Sequence, residues 1–172
     1  MSIRMMSGIP SRFIQVLTDF LPAELDLIDA EEADGITTPD VAAFYAWDRR
    51  ALDKFPAVTI RPVSSSPFVV HPDGVGDRVD GSHRIDVMFH ITPKQAATPE
   101  NRQALLFRYV AGAVRVIGVE KWALQTSADP VLWATVVTWA GEAVYGPEPD
   151  QEDGAIVRSA TVSFDVRRIE AR

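Results

Sequence analysis

The stretch Arg84-Ile85-Asp86-Val87-Met88-Phe89-His90-Ile91 decides the fold. Apolar side chains fall at every second position, with Ile85, Val87, Phe89 and Ile91 on one side and Asp86, Met88 and His90 on the other. Strict alternation is the mark of a β-strand with one face buried. Two neighbouring regions share the period. Val58 and Ile60 alternate with Thr59 and Arg61 just after Pro56. Near the end, Val162, Phe164 and Val166 alternate with Thr161, Ser163, Asp165 and Arg167. Trp133, Thr135, Val137 and Trp139 form a fourth such segment, followed by the turn residues Gly146-Pro147-Glu148-Pro149-Asp150. Turn-linked strands of this kind predict a twisted, mostly antiparallel sheet.

Helical periodicity occupies the gaps. Thr98 caps a helix, Pro99 takes its first position, and Glu100 sits where the helix dipole favours negative charge. Leu105, Tyr109, Gly112, Ala113, Val116 and Ile117 supply the apolar stripe, with Gly118 as the stop. Asn101, Arg108 and Arg115 recur on the opposite side. Residues 11–52 also read as helical. Ser11 is an N-cap, Phe13, Val16, Leu17 and Phe20 form a stripe, and Pro22 ends that helix or begins the next. Thr38-Pro39 is then a further helix start, leading to Val41, Phe44, Tyr45, Asp48 and Leu52. Residues 71–83, rich in Gly and Asp, read as a long exposed loop. The expectation is one α+β domain over residues 1–172, with N-terminal helices (11–52) and a core of sheet plus one long helix, about 99–118, in residues 56–170.

Composition narrows the function classes. The chain has 172 residues, 47% of them hydrophobic and none of them cysteine, enough to build a core without disulfides. Cysteine-ligated metals, iron–sulfur clusters and thiol catalysis are excluded. A net charge of −7 argues against a general nucleic-acid binder, which needs a basic face. Residues 1–12 lack the apolar core of a secretory signal, and no run approaches the roughly 18 apolar residues of a membrane span. The chain is therefore expected in a cytoplasm, or in something assembled there.

The residues of catalysis form no pattern. His71, His83 and His90 are not spaced as a metal site, and no cofactor is expected. In the loop from Asp73 to Gly81, Val75, Val79 and Gly81 fall where calcium ligands belong. There is no Gly-x-Ser-x-Gly elbow. Should the chain be a small enzyme after all, its site would lie among His71, His83, His90 and Asp86.

Taken in order, Pro56-Ala57-Val58-Thr59-Ile60-Arg61-Pro62, the strand Arg84 to Ile91, the helix opened by Thr98-Pro99-Glu100, and the strand ending Phe164-Asp165-Val166-Arg167-Arg168-Ile169 resemble the tail terminator (tail completion) proteins of long-tailed bacteriophages and related head–tail neck components. The resemblance covers residues 11–20 and 56–169, while residues 22–55 are longer and more aromatic than the family pattern. It implies a non-enzymatic virion protein, assembled in the host cytoplasm, whose subunits close into a homohexameric ring. Its partners would be further copies of itself, the major tail tube protein and a head–tail connector or stopper. DNA would pass through the lumen without specific binding. Contacts between subunits are expected from the sheet and from the 64–84 and 141–156 segments. Arg61, Asp86, Arg108, Arg115, Asp165 and Arg167 are the polar candidates. A stopper or adaptor ring is the alternative.

Overall fold

A computed structural model describes residues 4–46, 51–65, 69–72, 77–96, 98–120, 133–147 and 157–171. Two helices, α1 (Arg4–Glu32) and α2 (Pro99–Glu120), accompany six strands: β1 (Ala43–Ala46), β2 (Ala57–Ser65), β3 (Val69–Pro72), β4 (Asp77–Ile91), β5 (Trp133–Pro147) and β6 (Arg158–Ala171). The strands form one open mixed sheet in the order β1-β2-β4-β6-β5. Among the described strands only β1 and β2 run parallel. On one side of β4, β2 pairs with residues 83–90 and β3 with residues 77–80, while β6 pairs along the other side from Arg78 to Ile91. The expected α+β architecture is therefore present, with α2 over the sheet.

The alternation that predicts β4 marks the inner face correctly. Ile85, Val87, Phe89 and Ile91 are buried together with Val58 and Ile60 of β2 and with Ala160, Val162, Phe164 and Val166 of β6. Phe13 of α1 meets the Phe164 ring at 5.7 Å, and Tyr109 of α2 stacks on Phe89 at 5.3 Å. Thr98 caps α2 as expected, its hydroxyl accepting the Asn101 amide at 3.2 Å. The helix runs past Gly118 to Glu120.

Gly112 sets the approach of the helices. A Cβ at this position would lie 2.8 Å from Leu21 Cδ1, 3.2 Å from Leu25 Cδ2 and 3.7 Å from Ile28 Cδ1. The missing side chain thus lets the apolar face of α1 seat directly on α2. Alanine here trades a tight contact with a movable leucine tip against a helix propensity gain of about 1 kcal/mol. Gly112→Ala is expected to melt close to the parent. Gly112→Leu gains nearly the same propensity but must fit a whole side chain where a Cβ is already crowded, and overpacking will cost about 1–3 kcal/mol in denaturant titrations.

Three expectations for the first half of the chain are corrected. Helix α1 starts at Arg4, well before Ser11, and runs unbroken through Pro22. Proline forfeits the bond to the carbonyl four residues back and crowds it, here that of Thr18; both Thr18 and Pro22 are exposed, so water can satisfy the freed carbonyl. Among the described residues, Thr38-Pro39 opens no helix: residues 36–42 have no regular structure and 43–46 form β1. The described residues of 71–83 are strand, in β3 and β4; residues 73–76 lie outside the described residues.

Candidate functional site

Where two helices and a connector meet, a buried cation organises the local chemistry. Arg108 donates to Asp29 Oδ1 at 2.7 Å, to the Ile36 carbonyl at 2.6 Å and to both oxygens of Asp34 at 2.6 Å. Asp29 also accepts the Thr38 amide and hydroxyl, each at 2.6 Å. Burial pushes the Asp29 carboxyl up, but the Thr38 and Arg108 hydrogen bonds outweigh it and hold the group below the ordinary carboxylate range. The Arg108 guanidinium and the Ile36 amide likewise depress Asp34. Beside them, Tyr109 donates to the Pro39 carbonyl at 2.6 Å; burial, then the charges of Asp40 and Asp29, drive its phenol upward. The hub straps residues 33–42 onto α2.

Arg115, one heptad along α2, bridges Glu24 and Glu31 of α1 at 3.2 and 2.8 Å. Both arginines face α1, whereas the sequence placed their row opposite the apolar stripe. The outer face of the sheet holds the other polar candidates. Arg61 stands directly across from Asp86 in register, at 3.7 Å, and Ser163 donates to Asp86 at 2.7 Å. Arg84 forks onto Asp165, also its register partner, at 3.0 and 3.3 Å. Exposed pairs such as Arg84–Asp165 contribute at most about 1 kcal/mol. Arg167 lies on β6 opposite Ser82 and Val136; its side chain is outside the described residues. Five of the six candidates for subunit contacts thus have partners within their own chain; Arg108 and Arg115 face α1, while Arg61, Asp86, Asp165 and, by register, Arg167 belong to the outer face of the sheet.

The histidines do not converge either. His83 shares the inner face of β4 with Ile85, whereas His90 and Asp86 belong to the outer face. His90 Nε2 and Thr59 Oγ1 share a hydrogen bond of 2.8 Å, and Ala57, the register partner of His90, clusters with Tyr45 and Leu52. His71 lies on β3 opposite Arg78. Among the described residues, no group of three or more His, Asp or Glu could hold a metal ion, and no helix is long and apolar enough to cross a membrane.

Sequence reasoning gave less weight to the two edges of the sheet, which are unlike. At one end β1 is four residues long; at the other β5 is 15 residues long, and no described strand pairs with its free side. The β5 ladder slips between Trp139 and Ala143, where Gly141 takes φ 84°. Trp139, in register with Phe164 on the helix side, is 47% exposed. Val144, in register with Thr161 on the outer side, is 64% exposed. Phe107 of α2, also exposed, meets the Tyr145 ring edge-on at 4.8 Å. A long edge strand with apolar side chains on both faces is a template for another chain. In the sequence, the alternation of Trp133, Thr135, Val137 and Trp139 marked the strand but not its place at the edge. Compared with the models of known protein families and with curated proteins, the chain finds no match.

Proposed function

We propose that the protein is a structural ring subunit of the tail-terminator kind, which ends tail-tube growth and offers the opposite face for docking of the head. The observation that carries this reading is the open, apolar β5 edge at one end of a sheet whose other end is different. Unlike edges favour head-to-tail contacts, and a head-to-tail contact repeated by rotation closes a ring. Support also comes from the element order, an N-terminal helix, antiparallel strands and a helix over them, which is what the resemblance implies. The excess of acid suits a lumen through which a polyanion slides without sticking.

In such a ring the mechanism is geometric. One face matches the last ring of the tube, and the other presents a different surface, so that addition of tube subunits stops. Light scattering after size-exclusion chromatography, together with negative-stain microscopy, tests the reading: rings with a central hole are expected. A strict monomer at high concentration that also leaves tail tubes uncapped would sink it. Within the reading, Val144→Lys places a charge on the exposed edge and is expected to shift rings to monomers that keep the parent's circular dichroism spectrum. Rings that survive both Val144→Lys and Trp139→Lys would remove the β5 edge from the contact.

A further inference from the structure

Helix α1 carries a second apolar face that no described element covers. Its buried side, Leu21, Leu25 and Ile28, packs at Gly112. Turned away from it, Phe20, Ala23, Leu27 and Ala30 follow one another at helical spacing, all exposed, Phe20 by 41% and Leu27 by 57%. The stripe is about 15 Å long at 1.5 Å per residue. Its flanks are acidic on both sides. Glu24 and Glu31 border it on the side held by Arg115. On the other side stand Asp19 and Asp26, whose side chains have no ion pair or hydrogen bond with a described residue. From Thr18 to Glu32 the helix contains six carboxylates and no Lys or Arg.

We propose that this face of α1 docks a basic amphipathic helix of a different protein, with apolar anchors seated between Phe20 and Leu27 and Lys or Arg reaching Asp19 and Asp26. Helix-on-helix recognition reads apolar anchors that recur at three- and four-residue steps along one face, and this stripe presents them at i, i+3, i+7 and i+10. Charge selects the occupant. A second copy meeting the stripe with its own would bring Asp19 and Asp26 against their counterparts, and like charges across an interface are repulsive. Nucleic acid and anionic membranes are repelled by the same carboxylates. A partner with basic flanks turns both into attraction and gains association rate from it. The inference is independent of the ring, whose contacts run through the sheet.

The probe is a labelled synthetic helix of Leu and Lys, matched by one with the same Leu positions and Glu in place of Lys, titrated with the full chain by fluorescence anisotropy. The Lys helix is expected to bind and to weaken as salt rises; the Glu helix is expected not to bind. Phe20→Ser with Leu27→Ser should weaken binding at least tenfold. Asp19→Asn with Asp26→Asn should weaken it several-fold and flatten the salt dependence. All four positions are exposed, so the melting temperature checks that folding is intact. Equal binding of both helices, or unchanged binding to the Phe20/Leu27 variant, overturns the proposal. So does a parent oligomer that falls apart in that variant, because the stripe would then be a contact between copies.

Discussion

Arg108→Met is expected to loosen the whole segment between α1 and β1. The substitution keeps the length of the side chain but removes the donors that hold Asp29, Asp34 and the Ile36 carbonyl. Removing one partner of a buried ion pair costs about 3–5 kcal/mol, and the partial exposure of Asp34, which can rehydrate, argues for the lower end. For a domain of this size, about 3 kcal/mol lowers the melting temperature by roughly 6–12 °C. Amide exchange over residues 33–46 should accelerate before exchange elsewhere. Arg115→Met, which breaks only exposed pairs, is the control and should barely shift the transition. If both variants melt with the parent, Arg108 does not hold the connector.

The same hub sets an acid limit. Asp29 and Asp34 have folded pKa values below their ordinary value of 3.8, so the unfolded chain takes up protons first as the pH falls. Their contribution is complete above that value and is lost as the pH drops through it toward the folded values. Chemical denaturation between neutral pH and pH 2 should show stability falling in this window. Arg108→Met should show a shallower fall, since without the guanidinium both carboxyls move back toward 3.8.

Phe164→Ala is expected to be comparably damaging for an apolar reason. The side chain lies in register with Ile85 on one side and Trp139 on the other, and it touches the Phe13 ring of α1. Truncating a buried phenylalanine costs about 3–5 kcal/mol, in transfer energy and in the cavity left behind. The loss should appear in urea titrations as a lower midpoint with an unchanged slope. Phe13→Leu, Phe164→Leu and the double variant would separate the ring contact, worth about 0.5–1.5 kcal/mol. Strict additivity would show that the two rings do not couple.

How far the sequence could be read depended on whether local pattern and tertiary contact agreed. In β4 and α2 they agree: alternation at Ile85 to Ile91 and the Thr98-Pro99-Glu100 cap each need only their own segment. Thr38-Pro39 is the contrary case. The signature suits a helix cap, but the Thr38 hydroxyl donates to Asp29, nine residues back, and anchors a connector instead. The stripe from Val41 to Leu52 has helical spacing, yet residues 43–46 gain ladder hydrogen bonds by lying parallel to β2. Residues 77–84 lack an apolar alternation because pairing with β3 and β6 defines that part of β4. The inward turn of Arg108 depended on carboxylates about 75 positions away, beyond any local window. For function, the polar candidates were legible as residues but not as a site, since their partners lie mostly within the chain. The β5 edge and the second face of α1 emerged only once burial was known.

The placement of β6 has a consequence for synthesis. It is the last of the described strands in chain order, yet it sits between β4 and β5 and pairs with both. Until β6 leaves the ribosome, β4 lacks its longer ladder and β5 has no described partner. Two apolar strand edges therefore wait exposed while more than half of the chain is already made. The N-terminal helix cannot shorten that wait, because Phe13 packs on Phe164, a residue of the same late strand. The sheet thus cannot close its centre until residues 158–171 are made, and a nascent chain stalled before residue 158 should be a target for chaperones and proteases.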